Sequence, residues 1–508
     1  MTTTAGTRSH SARGAGRAAA GGSRLRWMAA AVLITGALMD LIDVTIVNVA
    51  LPTIRRNLGA SATQLEWVVS GYLLAFAAIL IIAGSLGDRF GRKRLFLAGV
   101  GVFGAASLAA GLSASAAELI AARAVQGAGA AVMAPQVLAT FRVIFSGRER
   151  GKAFALYGAM AGFASAVGLV LGGVLTDANL FGWSWRAVFF VNVPVALVTL
   201  AAGLRLVPPT RDPAAGRPDL PAAVALAGGL VAIVYPLLEG RRLGWPAWIW
   251  PLMAAGVAVI AALAVREARG RRMRPGRGSP AATAPLLRPR LFGIPAFAAG
   301  FGVLVAFAAG LQGLLLMLAL WLQAGEYFSP LKAGLTALAF SAGCFALAPA
   351  AVPMALKYGR RVLVLGGVMM AAGTAAVTAV VSDVSVGGSP WPVVPGLAVA
   401  GGGLALLIIP LANVVLAAVP AEAAGAASGL FSTAQQLGGA IGVALLGTIF
   451  FGWVTSGHTF AAAMTHGAPY AIGAFALCAA LSLLLPRTAV AEDALLGGND
   501  AEQAPRLS

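Results

Sequence analysis

The sequence predicts an all-α membrane protein with fourteen transmembrane helices, arranged as two six-helix halves plus two extra helices. Three observations predict this. The first is composition: of 508 residues, 59% are hydrophobic and 11% charged, with a mean hydropathy of +0.86. A soluble domain carries about 25% charged residues. The second is that apolar stretches near the roughly 20 residues needed to cross a bilayer recur along the whole chain. Lipid offers no partner for a free backbone N–H or C=O, so such stretches must be helices. The third is that basic residues are concentrated in every second loop, as the positive-inside rule requires.

The predicted spans are 27–50, 64–86, 95–113, 118–140, 153–176, 187–207, 219–239, 247–265, 294–320, 331–355, 362–383, 392–416, 425–453 and 464–486. Residues 1–26 are rich in Gly, Ala, Ser, Thr and Arg and lack acids, which predicts a disordered cytoplasmic tail. The apolar stretch 27–50 is too long for the core of a cleaved signal, and it contains two aspartates. Residues 27–207 then form an N-terminal six-helix half, and 208–265 hold the two extra helices. Residues 266–293, basic and rich in Pro and Gly, read as a cytoplasmic linker. Residues 294–486 form the C-terminal six-helix half, and 487–508 a second cytoplasmic tail. An even number of spans places both termini on the cytoplasmic side. The 65 glycines suit closely packed membrane helices. Tyr358-Gly359-Arg360-Arg361, after the tenth span, echoes Phe90-Gly91-Arg92-Lys93, after the second. The echo supports an internal repeat, and such repeats place a substrate site between halves near the midplane.

A net charge of +18 does not imply nucleic-acid binding, because topology accounts for it. The loops predicted outside hold only Arg55, Arg56, Arg186, Arg241, Arg242 and Lys332. Arg123 alone falls within a span. Cys344 and Cys478 lie in apolar segments, so neither a disulfide nor a metal site is expected. No phosphate loop, nucleophile–base pair or ligand-spaced histidine set marks an enzyme or a cofactor site.

In the first span, Asp40 and Asp43 stand three residues apart, on nearly the same helix face. A carboxylate inside the bilayer costs about 2.5–3.5 kcal/mol on insertion scales, which usually ties it to function. Burial penalises its charged form, a property that a proton carrier needs. Asp43 lies nine residues before Pro52, roughly 13 Å of helix inside the outer boundary. Arg123 lies about five residues, roughly 8 Å, inside the outer edge of the fourth span. The two should therefore lie at similar depth. Arg123 either tunes an acid's proton affinity or bonds backbone carbonyls.

Residues 84–95, GSLGDRFGRKRL, join the second and third spans. The positive-inside rule explains the bases but not Asp88 or the glycines. Gly84, Asp88, Arg89, Gly91 and Arg92 are expected to form a gating loop, tethering helix ends in one conformation and releasing them in another. Polar and aromatic residues within spans face the bundle interior. Trp67, Tyr72, Gln126, Gln136, Asn413 and Gln435 are thus candidates to line a substrate cavity.

Residues 84–95 resemble the major facilitator signature GxLxDRxGRKxxL. Further matches narrow the resemblance to the fourteen-span drug:proton antiporter branch. LDxTIVNVALP matches 42–52, with Ile42 for Leu. RxxQGxGAA maps to Arg123, Gln126, Gly127 and Gly129. WRxxFxxNxP maps to Trp185, Arg186, Phe189, Asn192 and Pro194. ASGLxxTxxQLGGAxG matches 427–442. The resemblance implies a major facilitator fold in a bacterial plasma membrane. It implies a monomer that exports an amphipathic drug or antibiotic in exchange for protons. Asp43 is then the family's membrane acid. Two positions depart from the pattern. Leu169 replaces the proline of the antiporter segment GPxxGG, and Ser70 stands where some multidrug relatives carry an acid. The missing proline leaves proton-coupled import of a metabolite open, and a transport-dead sensor is a further alternative.

Overall fold

The structure is a computed structural model describing residues 7–145, 147–210, 219–270, 289–381, 388–419 and 424–486. Within these helices, some side chains, including those of 7–23, Asp88 and Asn413, lie outside the description. The predicted linker falls largely outside the described residues, as does the tail 487–508.

The first half comprises α1 (Thr7–Leu58), α2 (Ala62–Phe90), α3 (Arg92–Leu112), α4 (Ala116–Ile144), α5 (Gly147–Ala178), and the pair α6 (Ala187–Phe190) and α7 (Asn192–Leu206). The extra helices are α8 (Leu220–Leu243) and α9 (Ile249–Gly270). After a short turn, α10 (Pro289–Phe292), the second half follows. It comprises α11 (Pro295–Leu320), α12 (Pro330–Tyr358), α13 (Arg361–Val380), α14 (Val394–Ala417), α15 (Ala424–Thr455) and α16 (Phe460–Ser482). Among the described residues, thirteen helices are long and apolar enough to cross a membrane. Helix α5, of 32 residues, is the fourteenth, and its apolar part is described over Val167–Ala178.

Two expectations are corrected. The first helix begins at Thr7, so residues 7–26 are helical backbone rather than a disordered tail. The alanines and arginines there are strong helix formers and carry the helix past its apolar part, Arg24–Leu58. The segment between the second and third spans is also mostly helical. Helix α2 runs on to Phe90, α3 starts at Arg92, and Gly91 alone makes the turn at φ 102. That backbone conformation is open to glycine and strained for other residues. Gly359, at φ 59, makes the corresponding turn between α12 and α13. The sequence echo thus corresponds to a matched glycine turn in each half.

In each half one helix packs against two others: α4 against α2 and α3, and α14 against α12 and α13. Glycines permit the approach. A Cβ on Gly127 would sit 2.2 Å from the Tyr72 carbonyl, and one on Gly401 would sit 1.7 Å from the Phe340 carbonyl. The halves meet along α2 with α15 and α5 with α12. Helix α8 lies across the first seam, packed on both α2 and α15, and α9 packs on α8.

Several close contacts across the seam sit toward the end where α1 finishes at Leu58. Gly173 of α5 approaches Pro330 and Leu331 of α12, where a Cβ would stand 2.8 Å from the backbone. Gly334 of α12 lies against the Leu169 carbonyl. Gln323, in a π-helical turn at Trp321–Gly325, donates to the Val49 carbonyl at 2.7 Å. The departure at Leu169 therefore lies on the seam itself.

Candidate functional site

Asp43 is fully buried in a hydrogen-bonded network that joins α1, α2, α3, α4 and α7. Its carboxylate pairs with Arg123 Nη1 from α4. Gln126, one turn along α4, donates from Nε2 to Asp43 Oδ1 at 2.8 Å. Asn192, at the start of α7, donates to the same oxygen at 2.9 Å. Ser107 of α3 accepts from Gln126 at 2.7 Å and from Asn192 at 3.3 Å. Arg123 also donates from Nε to the Val68 carbonyl of α2 at 3.1 Å and from Nη1 to Gln126 Oε1 at 2.6 Å. Its guanidinium lies 4.2 Å from the Tyr72 ring centroid. The Tyr72 hydroxyl donates to Asp40 Oδ1. A cation over an aromatic face is attracted by the ring's electrons, more strongly where water is excluded.

The sequence explains this convergence. Arg123 and Gln126 stand three apart on α4, so both face α1. Asp40 and Asp43 use the same spacing on α1. Tyr72 stands four residues after Val68, so one face of α2 presents both a carbonyl and a ring to Arg123. A buried ion pair is tolerated only when further hydrogen bonds satisfy both members. Here Asp43 has three donors, and Arg123 has three acceptors and a ring. Neutralising the carboxylate would remove the reason for most of these bonds.

Of the residues predicted to couple protons, Asp43, Arg123 and Asp40 are brought into one network. Gln126 and Tyr72, predicted to line a cavity, belong to the same network. Trp67 is placed elsewhere. Its Nε1 donates to Glu239 of α8 at 3.1 Å, and its ring lies 6.2 Å from that of Tyr235, so it docks the extra helices. Gln136 is also placed elsewhere, donating to the Ala83 carbonyl at 2.9 Å and packing on Gly87. Gln435 is exposed on α15. The Asn413 and Asp88 side chains lie outside the described residues, and Gly84 is described only as helical backbone. At the Gly91 turn, the Arg92 backbone N–H donates to the Thr210 carbonyl at 2.9 Å. Lys93 Nζ reaches the Leu204 carbonyl at 2.8 Å. Arg89 lies over the Phe90 ring at 5.5 Å. These described contacts tie the turn to the end of α7, within its own half.

Sequence reasoning overlooked Ser107 and Glu66. Glu66 is fully buried on α2 and packs on Gly447 of α15, where a Cβ would stand 2.8 Å from its carboxylate. An acid within a predicted span was the available signal.

Comparison with known proteins gives a consistent picture. A family model described as the Major Facilitator Superfamily matches residues 33–443. The chain is 38% identical over 437 residues to a probable actinorhodin transporter of Streptomyces coelicolor, covering 85% of this chain and 74% of that protein. It is 33% identical to a tetracenomycin C resistance and export protein of Streptomyces glaucescens, covering 83% and 76%. Among solved structures, a D-xylose–proton symporter superposes with a TM-score of 0.62 at 14% identity, covering 91% of this chain and 98% of that one. That last likeness speaks to fold alone.

Proposed function

The chain belongs to the Major Facilitator Superfamily, and we propose that it exports an antibiotic or similar amphipathic compound across the plasma membrane in exchange for protons, by alternating access. The observation that carries the proposal is Asp43, a fully buried carboxylate held by Arg123, Gln126 and Asn192. Relatives named for antibiotic transport, resistance and export support the direction and the class of cargo. The carrier acts as a monomer in a bacterial membrane, with both termini cytoplasmic and no nucleic-acid partner.

Asp43 is the proton carrier. As a carboxylate it holds Arg123 and accepts from Gln126 and Asn192. A proton arriving from outside neutralises it. Arg123 then keeps the Val68 carbonyl and the Tyr72 face but loses its counter-ion. This changes the relative energy of the two arrangements of the halves, and a shift of 1.4 kcal/mol moves such an equilibrium about tenfold. Asp40 senses the change through Tyr72, whose ring touches Arg123 and whose hydroxyl holds Asp40. The Gly91 turn, with Asp88, Arg89 and Arg92, acts as the gate at the cytoplasmic end.

The test uses inverted vesicles containing the protein under an inside-acid gradient. Antibiotics and cationic dyes are added, and proton release is followed beside an Asp43→Asn variant. Substrate-triggered release that the variant lacks supports antiport through Asp43. Uptake driven the opposite way favours the import reading, which Leu169 in place of the antiporter proline keeps in play. Release that persists in Asp43→Asn rejects Asp43 as the carrier.

A further inference from the structure

Between α1, α5, α11 and α12, where the halves meet, lies a small cavity whose lining includes Asn48, Val49, Leu169, Leu318, Gln323 and Ala337. Its walls are apolar except for two amides. Asn48 and Gln323 are each only 2% exposed. Asn48 donates from Nδ2 to the Val44 carbonyl at 3.0 Å, and Gln323 donates from Nε2 to the Val49 carbonyl at 2.7 Å. These bonds fix both amide orientations, because a flip would set oxygen against oxygen. Each amide therefore keeps an acceptor, Asn48 Oδ1 and Gln323 Oε1, and neither acceptor has a protein partner. A buried acceptor without a donor is costly and uncommon. Here two line the same space, one from each half.

We propose that this cavity binds one water molecule, which donates one hydrogen bond to Asn48 Oδ1 and the other to Gln323 Oε1, pinning α1 of the first half to the π-helical turn that follows α11 in the second. Water has the two donors that two acceptors lining one cavity require. The space, 20 Å³, exceeds the roughly 10–15 Å³ that one water needs. A metal cation fits poorly, because two neutral oxygens in apolar walls do not repay its dehydration. A drug-sized molecule does not fit at all. The π-helical turn, a distortion found often at functional positions, carries the Gln323 amide that reaches α1. The bridge exists only while the halves are closed toward the Leu58 end, so it favours that arrangement. It goes beyond the export reading and depends on neither the cargo nor the proton site.

A double-mutant cycle tests it in the full-length protein. Asn48→Ala, Gln323→Met and the double variant carry spin labels at Asn57 and Ser456, the exposed ends of α1 and α15. The distance distribution between the labels reports closure. Each single variant should lower the ratio of closed to open molecules roughly tenfold, and the double variant no further than the larger single effect. Additive effects, or a single variant with unchanged distances, overturn the bridge. A wild-type structure resolving ordered water provides a second measurement that needs no variant. Density within hydrogen-bond reach of both oxygens is expected there, and its absence rejects the proposal. That result and a failed transport assay are read on different molecules by different signals.

Discussion

In the first half, Asp40, Asp43, Glu66 and Arg123 are all buried within α1, α2 and α4, whereas among the described residues of the second half the buried charged side chain is Glu326, in the turn after α11. Both halves bury glycine against backbone: Gly99 meets Gly129 between α3 and α4, and the second half repeats the device. Gly366 meets Gly403, and Gly373 meets Gly396, at Cβ distances of 2.5–2.7 Å to carbonyl oxygens. The helix plan is shared and the chemistry is not. Both halves pack closely through small residues, and the first also holds charge in a network of side chains.

The largest expected effect comes from splitting the ion pair. Arg123→Leu leaves Asp43 buried without its cation and should destabilise the protein by about 3–5 kcal/mol. Adding Asp43→Asn to that variant should restore most of the loss in a thermal unfolding assay, though not transport. A single variant as stable as wild type would contradict the pairing. The second half, without such a charge network among its described residues, should respond chiefly to volume. Gly401→Ala forces a Cβ against the Phe340 carbonyl and should cost about 1–3 kcal/mol of stability, with proton release per folded molecule retained. Transport lost at unchanged stability would show that the second half does more than pack.

Two smaller tests sharpen the contrast. Tyr72→Phe keeps the ring under Arg123 but removes the hydroxyl from Asp40, a loss of about 1–3 kcal/mol for a buried group left without its partner. Coupled efflux should slow while membrane abundance holds, and equal efflux rates would remove Asp40 from the circuit. Glu326→Gln probes the buried acid of the second half. Burial pushes the Glu326 carboxyl above its ordinary value. A folded value above the unfolded one means the group's contribution is intact in acid and lost as pH rises through the folded value. The glutamine variant should therefore match wild type near pH 4 and melt higher near pH 8. A difference that does not change with pH would exclude ionisation as the cause.

Depth along the membrane was legible in the sequence, but direction around each helix was not. Counting residues from Pro52 and from the start of the fourth span put Asp43 and Arg123 at one level, and the structure pairs them. The same counting cannot tell that Trp67 faces α8 while Tyr72, five residues on, faces Arg123. Those five residues turn the helix by well over a full revolution, and only packing fixes where zero lies. The charges of residues 84–95 suggest a solvated loop, but the structure makes them mostly helical. A helix can run past the bilayer edge with such residues, and Gly91 alone was needed to turn the chain. Glu66, Ser107 and the Asn48–Gln323 pair were missed because a polar residue in a span looks alike in sequence whatever it bonds.

The side chains that donate to Asp43 come from α4 and α7, Ser107 of α3 holds two of them, and the ring and carbonyl steadying Arg123 come from α2. The network around this carboxylate is thus encoded in one uninterrupted stretch of gene, upstream of the spare pair of helices. Recombination downstream of that stretch can exchange the other wall of the transport path without disturbing the carboxylate. If that carboxylate drives export, as proposed above, a lineage facing a new toxin can refit what it ejects while inheriting the same power source.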